Sequence, residues 1–423
     1  MNNPLTFGDA EEYLDSLLVF GIKLGLDNMI HLNDLLGDPA STLNFVHVAG
    51  TNGKGSTCAM IATACKYAGL KTAFYSSPFL VNFLERWRIN GAPVKEASYL
   101  KALQKIIDIE VQLIERTGVR PTYFEVLTAV ALLIFQEEKC EVVIWETGMG
   151  GRLDATNIVQ PLLTIITNIA MDHGSYLGDT LSEVAKEKAG IIKDGVPFIC
   201  GESKVELRTL FAEKAKNCPQ YYIDQDFSSS QGDDQLTYQG KETINYKLRL
   251  LGEHQVSNSS LAIKALEVLE EKTLIESATI AAQGIQYAHW PGRIQKLPNN
   301  IYVDGAHNPA AMEKLSKCLS DQKFTVICGM MEDKEVESTL EKLAPLCANF
   351  IAVPIKIPRA LKPKELAKRA SSILNCSCES STDWESSLEK ISGPILITGS
   401  LYLSGEVLKK LAPDSALKCD ILE

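Results

Sequence analysis

Three features of the 423-residue sequence predict an α/β protein of two domains. Short apolar runs alternate with helical segments along most of the chain. One of them, NFVHVAGTNGKGST at 44–57, breaks into a glycine-rich turn, and the alternation is interrupted at YAHWPGRIQKL, 287–297, before it resumes. The expectation is a P-loop-type, mostly parallel sheet domain over residues 1–287, followed by a smaller Rossmann-like α/β domain over 288–423. A chain of this length exceeds what one ordinary hydrophobic core organises.

The chain opens with a helical lead-in, residues 9–20, and then GIKLGLDNMIHLNDLLG, whose apolar positions recur every three or four residues. Phe45 to Ala49 reads as a buried strand and Ser56 to Tyr67 as a helix. Between them, Gly50, Gly53 and Gly55 let successive backbone N–H groups close around an anion at a helix N-terminus. Lys54 supplies a point charge for outer phosphates, and Ser56 or Thr57 a hydroxyl for magnesium. The turn is a variant of the common phosphate-loop pattern, because Gly55 stands between the lysine and the serine.

KTAFYSS completes a βαβ unit and leaves Ser77 and Pro78 at a strand's C-terminal end, the edge where ligands collect in such sheets. Helices are expected at about 96–117 and 123–138. EVVIWETGMGGRLDATN, 141–157, then delivers Glu146 at a strand end beside a second glycine cluster, the arrangement a magnesium-nucleotide site needs. PLLTIITNIAMDH, 161–173, repeats the design with a strand ending in Asp172 and His173. The helix at 180–192 carries Lys186 and Lys188 on a charged face; a strand at 196–201 and a hairpin over 235–251 turning near Gly240 follow. LGEHQVSN starts a helix with three polar residues, His254, Gln255 and Asn258. From about 300, IYVDGAHN, FTVICG, NFIAVPI and GPILITGS alternate with helices, and the first ends in Asp304, Gly305, His307 and Asn308.

Composition narrows the class. Hydrophobic residues at 45% and charged residues at 22% suit a globular enzyme, and a formal charge of -11 argues against a general nucleic-acid or membrane-surface binder. No apolar stretch approaches the roughly 20 residues of a membrane span, and MNNPLTFGDAEEY lacks the basic and apolar regions of a leader, so the cytoplasm is the expected location. Of the 11 cysteines only Cys376 and Cys378 lie close together, with no second pair at zinc-like spacing. A phosphate cradle, a metal-type carboxylate and two facing domains imply ATP held between them; whether water, an acceptor or two further substrates complete the reaction stays open from the residues alone.

The motifs carry a resemblance. GTNGKGS at 50–56, YSSPFL at 75–80, ETGMGGRLDATN at 146–157, DH followed by LGDT and EKAGI, GEHQVSN at 252–258, PGR at 291–293, DGAHNP at 304–309 and GSLY at 399–402 resemble folylpolyglutamate and dihydrofolate synthases of the Mur ligase superfamily. The resemblance implies an ATP-dependent ligase joining L-glutamate to a dihydropteroate or folate carboxylate through an acyl phosphate. It is closest in type to the bifunctional bacterial members, with a monofunctional polyglutamylating enzyme as the nearer alternative. A nucleotide switch or plain NTPase is the alternative from another class.

Carried over by position, the resemblance implies that Thr51, Asn52, Gly53, Lys54, Gly55 and Ser56 wrap the phosphates, that Ser77 and Glu146 hold one magnesium, and that His173 helps with a second. Lys188 matches a lysine that is carbamylated in the family, a change from cation to anion that suits it to magnesium. Asn258, Arg293 and Asp304 match ATP-contacting positions, and Asp304 with His307 faces the reacting centre, with Lys54 and Lys188 completing the catalytic set. Lys23, Leu24, Gly25, Leu26, then Thr122, Tyr123, Phe124, Glu125, and Leu153, Asp154, Ala155 match pterin-binding segments. A monomer is expected. Trp87 and Met149 depart from the family's usual isoleucine and leucine, exchanges that could reshape the folate pocket.

Overall fold

The computed structural model describes residues 5–18, 25–172, 174–232, 235–332 and 334–422. Its larger sheet is built from β1 (Phe45–Ala49), β2 (Thr72–Tyr75), β3 (Trp87–Ile89), β4 (Ala92–Pro93), β5 (Val142–Glu146), β6 (Leu163–Ile166), β7 (Phe198–Cys200) and β8 (Gln220–Tyr222). The strand order is β4-β3-β2-β5-β1-β6-β7-β8. Every pairing from β2 to β8 is parallel, and β3 and β4 add an antiparallel edge. The two strands of the expected βαβ unit therefore do not touch, because β5 lies between β1 and β2. That interposition brings three strand ends together: the glycine turn after β1, Glu146 at the end of β5, and Ser77 beyond β2.

Alternation along the strands feeds two cores, since successive side chains leave opposite faces of a sheet. Val46, Val48, Phe74, Ile144 and Ile165 face the helices Lys54–Tyr67 and Glu253–Glu271. Phe45, Ala73, Tyr75, Val143 and Trp145 face the helices Glu96–Thr117 and Tyr123–Glu137. Burial on both faces explains why these strands read as continuous apolar runs.

β9 (Ser228–Gln231), β10 (Leu236–Gln239) and β11 (Thr243–Tyr246) form a small antiparallel sheet. It contains the expected hairpin plus a serine strand without an apolar pattern. The second α/β unit holds β12 (Gln295–Leu297), β13 (Ile301–Val303), β14 (Phe324–Cys328), β15 (Cys347–Ala352), β16 (Ser377–Ser380) and β17 (Ile395–Thr398), in the order β12-β13-β17-β14-β15-β16. Only β12 among these pairs antiparallel. β16 is a polar edge strand, SCES, whose sequence gave no strand signal.

One expectation needs correcting in its geometry. The strand foreseen to end at Asp172 stops at Ile166, and Asp172 lies on the loop beyond it. Two chain segments join the units: the connection through Ala288, and the tail, where Ala288 pairs with Asp420 and Asp420 meets Lys66 at 2.9 Å. Among the described residues, no helix is long and apolar enough to cross a membrane, and no group of three or more His, Cys, Asp or Glu could hold a metal.

Candidate active site

The glycine turn is set by close approaches. Gly53 adopts φ 86° and caps the helix Lys54–Tyr67, which starts two residues before the expected Ser56, so Lys54 already stands in its first turn. A Cβ on Gly53 would come within 2.6 Å of Asn258 Oδ1, and one on Gly55 within 2.6 Å of the Trp290 indole nitrogen. The turn is thus walled by Asn258 from the helix Glu253–Glu271 and by Trp290 from the connection between units. Lys54 Nζ donates to the Gly50 carbonyl at 2.9 Å, and Lys188 Nζ donates to the same oxygen at 3.0 Å. Lys188 is buried and does not line the cleft; burial first, and the Lys54 charge second, pull its pKa from 10.5 down to about 7.

Glu146 presents the opposite case. Burial lifts its carboxyl to about 7, against the pull of Lys54, the Ser77 backbone N–H, Arg293 and Arg88. Its Oε2 has no hydrogen-bond partner among the described residues. A buried, orphaned carboxylate oxygen in a cleft wall shared with Ser77 and the glycine turn fits a hard cation bound by oxygen, as magnesium is bound through one or two carboxylates and substrate phosphates.

The second unit closes the cleft from the other side. Asp304, at the end of β13, accepts from the Ile294 and Ala306 N–H groups at 2.8 and 2.7 Å, so both its oxygens are engaged; burial raises its pKa. His307 Nδ1 lies 2.8 Å from the Gly305 carbonyl, so Nδ1 carries a proton and donates it, and Nε2 lies 3.7 Å from Asp172 Oδ2. Lys334 meets Asp172 at 2.5 Å, and Asn308 Nδ2 donates to Asn52 Oδ1 at 3.1 Å. Asp172 and Asn52 of the larger unit are therefore gripped by Lys334 and Asn308 of the smaller.

At the far end of the same cleft, of about 600 Å³, Gly25, Thr122, Tyr123, Phe124, Glu125, Leu153, Asp154 and Ala155 line the wall. Thr122 and Glu125 form a capping box for the helix Tyr123–Glu137, and Glu125 also accepts from Asn28 at 2.8 Å, so this carboxylate is spent on local structure. Thr51 to Ser56, Ser77, Glu146, Asn258, Arg293, Asp304 and His307 line the cleft as well. Leu26 does not, and Lys23, Leu24 and His173 lie outside the described residues.

Sequence reasoning passed over Arg86, Lys334 and Arg359, which also line the cleft. Arg86 is buried, with its guanidinium 5.2 Å from the Phe79 ring centre and 6.0 Å from that of Tyr123. An arginine three residues after Phe83 and just before Trp87 could have signalled it, whereas nothing around Lys334 distinguishes it from a surface lysine.

A glycine turn at a helix N-terminus and an orphaned carboxylate on one unit, facing an acid and a histidine on another, define a two-domain ATP-dependent ligase. Residues 48–266 match the Mur ligase middle domain, and residues 292–400 the Mur ligase glutamate ligase domain. The dihydrofolate synthase/folylpolyglutamate synthase of Bacillus subtilis is 34% identical over 427 residues, covering 96% of this chain and 99% of that protein. That of Escherichia coli K12 is 30% identical, covering 94% and 93%. Among solved structures, Mycobacterium tuberculosis folylpolyglutamate synthase complexed with ADP and AMPPCP superposes with a TM-score of 0.87 at 26% identity, over 96% of this chain and 98% of that one. E. coli FolC in complex with DHPP and ADP gives 0.86 at 28%, over 97% and 98%. The chain belongs to the dihydrofolate synthase/folylpolyglutamate synthase family of Mur-type ligases.

Proposed function

We propose that this ligase adds L-glutamate to dihydropteroate, and further glutamates to folates, with residues 1–287 binding ATP and the pteroyl substrate and residues 288–423 presenting glutamate. It would work as a cytoplasmic monomer. The observation that carries this reading is one continuous cleft lined by the phosphate turn, the pterin-type segments at 122–125 and 153–155, and Asp304 and His307.

In the proposed sequence, a substrate carboxylate oxygen attacks the γ-phosphorus of ATP, which releases ADP and forms an acyl phosphate. The glutamate amine, after losing a proton, then attacks the carbonyl carbon and expels inorganic phosphate. Lys54 and the N–H groups of Gly53 to Ser56 hold the phosphates, Thr51 and Asn52, whose N–H groups donate to Asn168, shape the turn, and Asn258 and Arg293 are assigned to the nucleotide. Ser77 and Glu146 would hold one Mg²⁺, with His173 and a carbamylated Lys188 assigned to a second. Bound magnesium supplies charge neutralisation on the transferring group. His307, whose Nδ1 is tied to the Gly305 carbonyl and whose Nε2 is the ring nitrogen left over, is the better candidate to take the ammonium proton. Asp304, whose oxygens are occupied by backbone donors, fixes the turn that carries it. Closure of the cleft keeps water from the acyl phosphate.

With purified protein and MgATP, ADP release should require dihydropteroate and glutamate together. Lys54→Ala should fold normally and lose ligation by about 10²- to 10³-fold or more. Acceptance of folates but not dihydropteroate would favour the monofunctional reading, and hydrolysis without either substrate would favour a plain NTPase.

A further inference from the structure

Behind the pterin end of the cleft lies a buried polar chain that ends at Asp154 and contains two residues, His47 and Thr156, that none of the roles above uses. His47, in the middle of β1, is fully buried, and its Nε2 lies 3.0 Å from Thr156 Oγ1. Thr156 is fully buried too, and its hydroxyl donates to Asp154 Oδ1 at 2.5 Å, reinforced by its backbone N–H at 3.1 Å. Asp154 Oδ2 accepts from the Met149 N–H at 2.8 Å, and the residue lines the cleft. His47 Nδ1 has no partner among the described residues.

The chain has one self-consistent proton order. Burial, and then the Lys193 charge, lower the His47 pKa to about 3, so the ring is neutral and carries a single proton. Thr156 has one hydroxyl proton, and the short contact to Asp154 takes it. Thr156 must then accept from His47, which puts the ring proton on Nε2. The other tautomer would leave a buried N–H at Nδ1 without an acceptor and turn two lone pairs against each other at Thr156. Burial opposes ionisation of Asp154, and these donors oppose that tendency.

We propose that His47 and Thr156 are positioning residues that order the protons behind Asp154 and so fix its carboxylate in the cleft wall as an acceptor for an N–H-rich ring edge such as that of a pterin. This rests on the assignment of 153–155 to the pteroyl substrate. Neither residue touches the ligand; they act through Asp154.

The test is steady-state kinetics with dihydropteroate, glutamate and MgATP. His47→Gln keeps an N–H near the Nε2 position, whereas His47→Asn, one bond shorter, withdraws it. Thr156→Ser keeps the hydroxyl and Thr156→Val removes it. His47→Asn and Thr156→Val are expected to raise the KM for dihydropteroate about tenfold, with the KM for ATP and kcat at saturation little altered. His47→Gln and Thr156→Ser should restore near wild-type values. If His47→Asn does not fold, the Thr156 pair decides. Equal dihydropteroate KM values within each pair, or KM for ATP rising in step, would overturn the proposal. Asp154→Asn separates the two layers of the argument: an unchanged dihydropteroate KM in that variant overturns the pterin assignment and this proposal with it. A raised KM there, with none in His47→Asn or Thr156→Val, overturns the proton-order proposal alone.

Discussion

Two lysines meet at the Gly50 carbonyl, and their competition sets the chemistry available to each. Lys54 is half-buried beside the phosphate turn, whereas Lys188 is only 4% exposed and gives up its proton near pH 7. Above that pH the amine form dominates, and the amine is the form that adds carbon dioxide at its nitrogen, releasing a proton and leaving a carbamate. At fixed dissolved ¹³CO₂, a carbamate resonance should grow between about pH 6 and about pH 8, on either side of the lowered pKa of about 7, and should be absent in Lys188→Arg. No resonance at the higher pH would contradict the assignment. Little of this was legible in the residues. Lys186 and Lys188 share a charged helix face by periodicity, and only the EKAGI resemblance separated them. The differing hydrogen bonding of Asp304 and His307 was equally hidden, because it depends on the N–H groups of Ile294 and Ala306 and the Gly305 carbonyl rather than on any spacing.

At the level of elements, the segment between β2 and β3 links the larger unit to the smaller. The Glu85 carboxylate gathers the N–H groups of Leu80, Val81 and Asn82 at 3.1, 3.0 and 2.6 Å, which fixes a turn that begins at Ser77. Leu80 and Val81 pack against the core of the smaller unit, and a Cβ on Gly405, in the helix Leu401–Leu411, would come within 1.9 Å of the Leu80 carbonyl oxygen. Gly405→Ala should therefore cost about 1–3 kcal/mol in urea unfolding, as overpacking does, and should lower kcat by shifting Ser77. Unchanged stability and turnover would show that the contact relaxes without consequence. Strands with burial on both faces, such as β1 and β5, were readable from their apolar runs. The β3–β4 edge and β16 were not, since two to four residues are too few for a period and SCES is polar. The reason for Gly405 in its helix lies on another element altogether.

For the whole molecule, the division of labour follows from topology. Placing β5 between β1 and β2 collects the glycine turn, Glu146 and Ser77 at one sheet edge, while β13 brings Asp304 and His307 to the same cleft from the second sheet. Alternating strands and helices, and the break near residue 290, made the two-unit plan readable. The tail contact of Asp420 with Lys66 and the cross-cleft grips of Lys334 and Asn308 were beyond reach, because they join residues far apart in the chain whose types are common on any surface.

The central claim is that the cleft transfers phosphate from ATP to an acid and then lets an amine displace it. Dihydropteroate labelled with ¹⁸O in its carboxylate tests this directly, by mass analysis of the phosphate released during ligation. The account predicts one ¹⁸O atom in each phosphate formed. Unlabelled phosphate alongside normal amide product, or label appearing in AMP, would contradict it.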